Sequence, residues 1–535
     1  MEKHRKILLL LVCIIALAIF FRLFRITELP PGLYPDEAMN GNNALEAIET
    51  GNYKVFYPEN NGREGLFINL QALLLKVLVP IIGSPEPWML RILSALFGIL
   101  TVLGVYFLSK ELFRRKSTNS ESYTNLPAQL AFGNSKAGGR ISLFEKYSLF
   151  ADGIALFASF FTAISFWHVN FSRIGFRAIM APFFFTWALY LLLKALRSKS
   201  PHPTSYILYS ILGGLFLGGG LYSYIAYRVV PLIILVVLFL FIKELGVKKV
   251  FKISLAVFVG ALITASPLLI YFLNNPQDFF GRTTQISVFA GSHPIRDIAL
   301  NTVKTIFMFN GTGDYNWRHN ISAAPLLSWP VGLFFLIGIF YGIYQIFKKS
   351  KSENWNLFKG FGLGFGILFA WFLVALLPIV ISNEGIPHSL RAILLVPPVM
   401  ILSGFGAFLF FDLALSKLNR KIYYFILALF VLTLTIQSYK DYFIKWGKNS
   451  EVQGAFSADY VKIGKEINSL PKETPKYVVV GAGGTDVRGI PMPAQTTMFI
   501  TDSFREGGRK NKNIRYISKE EASSIPEEGS VFFIK

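Results

Sequence analysis

Cysteine is almost missing from this chain. The one residue, Cys13, falls inside the first hydrophobic segment, which excludes an intramolecular disulfide and a cysteine-based metal site. There is no Walker phosphate loop and no His-x-x-x-His pair. Gly481-Ala482-Gly483-Gly484 follows a β-like run but lacks the spacing of a dinucleotide loop, and it reads as a turn. Acidic residues number 32 against 53 Lys and Arg, and charged residues of both signs make up only 16% of the chain. What is abundant is apolar: 53% of residues, 52 of them Phe, with a mean hydropathy of +0.47. A soluble protein of this size has too little interior for that much apolar side chain, so the chain reads as a polytopic membrane protein. The net charge of +21 does not point to nucleic acid. Its Lys and Arg fall in short clusters between hydrophobic segments, the pattern of cytoplasmic membrane loops.

Apolar runs long enough to span lie near 7–24, 88–112, 147–166, 179–196, 206–225, 229–243, 253–273, 326–347, 361–382, 391–414 and 421–438. With the N-terminus cytoplasmic, and the first run retained as a helix rather than removed as a signal peptide, the inner loops are 113–146, 197–205, 243–252, 348–360 and 415–421. Each carries a basic cluster: Arg114-Arg115-Lys116; Arg197 and Lys199; Lys248-Lys249; Lys348-Lys349 and Lys351; Arg420-Lys421. That is the positive-inside pattern. A twelfth apolar stretch, 66–82, would invert every later loop if it spanned. It carries Asn69, Gln71 and Lys76, so it is placed as an interfacial or re-entrant helix, and 25–87 becomes one large outer loop with two helices along the membrane. The tail differs in material, being polar and of mixed charge, with a β-like run at Lys476–Val480 and Phe532-Phe533-Ile534 at its end. The expected division is a membrane domain, 1–439, and a small extracytoplasmic α/β domain, 440–535.

Charged residues concentrate at the outer boundary. Asp36-Glu37, in Tyr34-Pro35-Asp36-Glu37-Ala38, opens a helix just past the first span. Two adjacent carboxylates at a membrane boundary suggest chemistry there, although a helix N-terminus also favours acids through its dipole. Asn61-Gly62-Arg63-Glu64-Gly65 stands where the second interfacial helix begins. A planar guanidinium at that depth suits a lipid phosphate, and interfacial snorkelling is the ordinary alternative. Trp167-His168-Val169-Asn170-Phe171-Ser172-Arg173-Ile174-Gly175-Phe176-Arg177 places two arginines on the outer side, against the general charge rule, where they face an anionic ligand or outer carboxylates. His388-Ser389-Leu390-Arg391 adds a third outer cation region. Asp314 and His319, in the long outer loop, can hold a metal or acceptor but read more simply as solvated loop residues. Asn170, Asn310 and Asn320 open Asn-x-Ser/Thr triplets, which matter only in a glycosylating host.

These residues resemble the membrane glycosyltransferases of the GT-C fold, most of all the branch of protein O-mannosyltransferases and lipid A aminoarabinose transferases. Asp36-Glu37 matches the acidic motif of the family's first outer loop. Gly62-Arg63-Glu64-Gly65-Leu66 is similar to its Gly-Lys-Pro-Pro-Leu-like stretch, with Glu64-Gly65 in place of the prolines. Arg391-Ala392 with Pro397-Pro398 is similar to a late Arg-Tyr-x-x-Pro-like stretch, without the aromatic residue. The likeness covers roughly 1–415. It implies transfer of a sugar from a polyprenyl-phosphate donor to a hydroxyl acceptor on the outer face of the plasma membrane, with inversion. On that basis Asp36 and Glu37 are the catalytic candidates, with Asp36 as base. Arg63, Arg173, Arg177 and Arg391 are expected to hold the donor phosphate, and Tyr34, Glu64, His168, Asn170 and His388 to contact substrate. A divalent ion, Mg or Mn, would sit on Asp36 or Glu37 if the reaction uses one. Membrane lipids are expected partners and nucleic acid is not. The rival readings are a polytopic transporter and a lipid-binding membrane protein without catalysis.

Overall fold

The structure, a computed structural model, describes residues 2–114, 143–198, 202–285, 287–347, 362–383, 385–415, 418–526 and 528–535. The basic clusters at Arg115-Lys116, Lys199, Lys348-Lys349 and Lys351 lie outside the described residues. The chain opens with helix α1 (Glu2–Leu23), α2 (Pro35–Thr50), a short hairpin of β1 (Phe56–Tyr57) and β2 (Arg63–Glu64), α3 (Gly65–Ile82) and α4 (Pro87–Leu112). Next come α5 (Leu143–Ile164), α6 (Phe166–Phe171), α7 (Met180–Leu196), α8 (Pro203–Gly219), α9 (Val230–Leu245) and α10 (Val247–Asn274). Two amphipathic helices, α11 (Pro276–Gln285) and α12 (Pro294–Phe307), precede α13 (Trp329–Phe347), α14 (Gly362–Val380), α15 (Val396–Leu415) and α16 (Arg420–Tyr439). A π-helical turn, Lys440–Trp446, carries α16 into the C-terminal segment.

Among the described residues, eleven helices are long and apolar enough to cross a membrane. That number equals the sequence expectation, but the membership differs. It includes α3, and it leaves out α5, of which Phe150–Ile164 is the apolar part. Contacts decide both cases. At one end of the bundle Arg197 donates to the Glu111 carbonyl, Lys194 pairs with Glu111 at 3.5 Å, Lys110 pairs with Asp152 at 2.6 Å, and Lys249 reaches the Ser198 carbonyl at 3.5 Å. The C-terminal ends of α4 and α7 and the start of α10 therefore meet there. The first turn of α4 lies at the other end, where Arg91 bonds the Pro30 and Gly32 carbonyls at 2.6 and 2.8 Å. The start of α3 is at that same end, with Gly65 N–H on the Val55 carbonyl at 2.7 Å. So α3 begins and finishes at one end of the bundle and does not cross it. Its buried Ile68, Ala72 and Leu75 pack on α2, on Met89 and Leu90 of α4, and on the C-terminal segment. Leu73, Val77 and Ile81 are left exposed, as an interfacial helix requires. Helix α5 does run through the bundle, its Ile154, Ala158 and Phe161 sharing one apolar cluster with α4, α7 and α15.

Close helix contact uses small residues where a side chain has no room. Gly214 and Gly218 of α8 face α10, and a Cβ on either would come within 2.2 Å of the Val257 or Ala261 carbonyl oxygen, the geometry of small-residue packing in membranes. The C-terminal segment is built from α17 (Ser450–Ala455), α18 (Ala458–Ser469), β3 (Lys476–Val480), β4 (Asp486–Val487), β5 (Ile490–Pro491), α19 (Gln495–Thr501), α20 (Glu506–Asn511), β6 (Ile514–Ser518) and β7 (Ser530–Ile534). The order β6-β3-β7 is fully parallel. Its central strand β3 is buried along its whole length, so after Lys476 it reads as a continuous apolar run rather than an alternating one. Helix α2 lies between this segment and α3, with Ala38, Ala44 and Ala47 against Phe499 and Ile500.

Candidate active site

A cavity of about 690 Å³ opens at the end of the bundle shared by α2, the β1–β2 hairpin, the 172–177 turn, the segment after α12 and the turn after α14. Of the residues singled out by sequence, Tyr34, Asp36, Arg63, Arg177, Asp314, His319, His388 and Arg391 line it. Asp36 stands in the first turn of α2, and its Oδ1 accepts a bond from Asn60 Nδ2 at 2.7 Å. Arg63 is buried. It donates to the amide oxygens of Asn40 and Asn43 at 2.7 and 2.5 Å, and its Nε has no partner. Burial, with Arg177 nearby, pushes Arg63 down to about 10, which leaves it charged at neutral pH. Arg177 donates Nε to Glu64 at 2.7 Å, and Arg391 donates to the Ser382 hydroxyl.

The remaining candidates do not line the cavity. Glu37 is buried and serves as a tie: its carboxylate meets Arg91 Nε at 3.1 Å and accepts the Gly175 N–H at 2.7 Å. Asn40 bonds the Gly175 carbonyl at 3.1 Å, so α2 grips that glycine from both sides and fixes the turn that presents Arg177. Arg173 is spent on the Phe21, Phe24 and Leu29 carbonyls at 3.0, 2.9 and 2.8 Å and lies 5.3 Å from the Tyr442 and Phe443 rings. It caps the end of α1, whose last carbonyls lack helical partners. His168 Nδ1 accepts from Arg22 at 2.7 Å. Asn170 donates to the Arg318 carbonyl at 2.6 Å, and Glu64 reaches the site only through Arg177.

The cavity also holds residues that sequence reasoning missed. Arg318 lines it, its guanidinium 3.6 Å from the centre of the Tyr34 ring. Among the described residues no carboxylate lies within ion-pair distance of Arg63 or Arg318. The polar run Asn40, Asn42 and Asn43 on a buried helix is the signal that was available for this pocket. Asp314 and His319, expected to be solvated, are buried. Asp314 Oδ2 accepts from the Ser389 N–H, the Ser389 hydroxyl and His319 Nδ1 at 2.8, 2.9 and 3.1 Å, and Oδ1 accepts from Asn316 N–H at 2.8 Å. Burial alone would raise this carboxyl, but the bond from His319 and the two imidazoles outweigh it and hold it at about 2. His319 and His388 stack with centroids 4.9 Å apart. Burial, then the neighbouring His319 and Arg391, drives His388 to about 3. Burial also lowers His319, against the opposing pull of Asp314.

Of the two acids expected to hold a divalent ion, Glu37 is committed to Arg91 and Gly175, which leaves Asp36 without a second carboxylate beside it for that ion. The described group that could hold a metal is Asp314, His319 and His388, whose ligand atoms lie within 4.8 Å of one another. Two imidazoles and one carboxylate suit a zinc-like ion better than magnesium. Both Asp314 oxygens already accept bonds, so as it stands this carboxylate anchors the Nδ1 side of His319 and leaves Nε2 to the cavity.

No protein-family model matches this chain, and no curated protein does. Solved structures do match. The apo oligosaccharyltransferase of Archaeoglobus fulgidus superposes with a TM-score of 0.53 at 13% identity, over 92% of this chain and 63% of that one. ArnT from Cupriavidus metallidurans bound to undecaprenyl phosphate gives 0.52 at 13% identity, over 98% and 89%. AglB from Archaeoglobus fulgidus, in complex with an inhibitory peptide and a dolichol-phosphate, gives 0.51 at 14% identity, over 97% and 70%. The chain thus spans less than two thirds of the apo oligosaccharyltransferase. Identities this low establish architecture, and the architecture is the GT-C fold of membrane glycosyltransferases.

Proposed function

We propose that this protein moves a glycosyl group from a polyprenyl-phosphate donor to a hydroxyl acceptor on the outer face of the membrane. The observation that carries the reading is one cavity lined by Asp36 and by four arginines, of which Arg63 and Arg318 have no carboxylate partner among the described residues. A buried guanidinium without a counter-charge is costly, and a bound phosphate supplies one. Two fold neighbours support the class of ligand, since one was solved with dolichol-phosphate and another with undecaprenyl phosphate.

The acceptor hydroxyl oxygen attacks the anomeric carbon while the bond from that carbon to the phosphate oxygen breaks, and its electron pair stays on the phosphate. The hydroxyl proton passes to Asp36, whose Oδ1 is held by Asn60, leaving Oδ2 as the receiving atom. Arg63, Arg177, Arg318 and Arg391 stabilise the charge that builds on the departing phosphate. Attack from the face opposite the carrier gives inversion at the anomeric carbon. Glu37, Arg173, His168 and Asn170 act by holding the walls. If Asp314, His319 and His388 hold an ion, it would polarise a substrate oxygen.

The test is a host lacking the gene, with polyprenyl-phosphate sugars followed by mass spectrometry. The wild-type gene is expected to clear the accumulated donor. Asp36→Asn is expected to lose on the order of 10²–10⁴-fold in rate while still reaching the membrane. A clearing rate close to wild type would remove Asp36 from the base role, and a wild-type gene that clears no donor would leave a lipid-binding protein.

A further inference from the structure

The β1–β2 hairpin that carries Arg63 is held from outside the membrane bundle. Its turn passes through Asn60, Asn61 and Gly62 with φ of 53°, 61° and 79°. Asn and Gly accept that left-handed region readily, so the turn is allowed, but two paired residues per strand are too few to be stable alone. Arg488, between β4 and β5, supplies the hold. It donates to both oxygens of Glu46 at 2.7 and 3.0 Å and to Glu59 at 2.7 Å. Glu46 lies on α2, the helix of Asp36, and Glu59 opens the hairpin turn. The next residue, Asn60, is the one bonded to Asp36. A single guanidinium therefore ties the helix of the base to the hairpin of the phosphate ligand. Without it, two carboxylates would face each other across that joint.

We propose that Arg488 is a positioning residue, through which the C-terminal segment sets the placement of Asn60, Asp36 and Arg63. The proposal rests on the functional reading given above. Arg488 is 42% exposed, and an ion pair that open contributes little to global stability. Its effect on turnover is of another size, because a displacement of about 1 Å at reacting groups costs roughly 10²-fold. Stability and activity should therefore respond very differently to its removal. A second ion pair across the same interface, Arg505 with Glu49, joins the last turn of α2 and does not touch the hairpin, so it serves as the control.

The experiment uses the full chain in detergent, with hydrogen exchange of residues 56–65, affinity for undecaprenyl phosphate, and donor clearance in the host. Arg488→Ala is expected to speed exchange in that segment, to weaken undecaprenyl phosphate about tenfold and to slow clearance, with the melting temperature kept. Arg488→Lys should restore part of each, and Arg505→Ala should change none. Wild-type exchange and affinity in Arg488→Ala would overturn the proposal. So would an Arg505→Ala that matches it, since both pairs would then merely dock the segment. If Arg488→Ala does not fold, Glu59→Gln carries the same test with the Glu46 pair intact. Arg63→Ala separates the two levels: undiminished affinity there defeats the phosphate reading itself, whereas weakened affinity with an unaffected Arg488→Ala defeats only the positioning role.

Discussion

A helix rotates about 100° per residue, and that rotation divides the tasks of Asp36 and Glu37. One side chain faces the cavity and the other faces Arg91. Removing the charge of Glu37 strands a buried guanidinium, which costs about 3–5 kcal/mol when a buried pair is broken. Glu37→Gln is therefore expected to lower the melting temperature clearly while the folded fraction loses far less turnover than Asp36→Asn does. Asp36→Asn should do the reverse. A Glu37→Gln protein that melts like wild type but fails to clear donor would return Glu37 to the chemistry. The adjacent acids were legible in the sequence as a marked place, but not as two roles. The arginines show the same limit. Arg173 and Arg177 look equivalent in the chain, yet Arg173 is consumed by carbonyls such as that of Phe21, 152 residues earlier. No local pattern announces such a partner.

At the scale of elements, regular helices were easy to foresee and the segment between α12 and α13 was not. It has no periodic pattern, and distant parts of the chain pin it: Trp446 bonds the Trp317 carbonyl at 2.8 Å, Asn170 bonds that of Arg318, and Ser389 bonds Asp314. Those contacts turn a polar loop into a cavity wall and bury its ionisable groups. The consequence is a pH response. His388 falls from an ordinary 6.5 to about 3 in the folded protein, with His319, Asp314, Arg318 and Arg391 around it. Between those values the unfolded chain binds more protons, so stability rises with pH. The stabilisation is complete above pH 6.5 and is lost as pH falls toward 3. Thermal melts across that range are expected to decline on acidification, and His388→Gln should flatten the decline. An equally steep decline in His388→Gln would mean that other groups carry the acid sensitivity.

For the whole molecule, hydropathy placed the spans because a membrane demands long apolar helices whatever their partners. It could not decide α3, whose composition permits crossing. The decision comes from parity. With α3 turned back on itself, Lys110, Lys194, Arg197 and Lys249 gather at one end of the bundle, and the cavity and C-terminal segment share the other. Under the proposed function the basic end is the cytoplasmic one, as the positive-inside rule would have it, and the cavity is extracytoplasmic. This orientation is testable in a Cys13→Ser background, which removes the only native thiol. A membrane-impermeant maleimide on intact cells is expected to label Ser84→Cys, in the turn after α3, and Lys472→Cys, in the C-terminal segment. Lys248→Cys, at the start of α10, should react only after permeabilisation. If Ser84→Cys and Lys472→Cys reacted only after permeabilisation while Lys248→Cys reacted on intact cells, α3 would span and the ends of all later helices would exchange sides. The basic loops would then face outward, and a donor approached from outside would meet the wrong end of the protein.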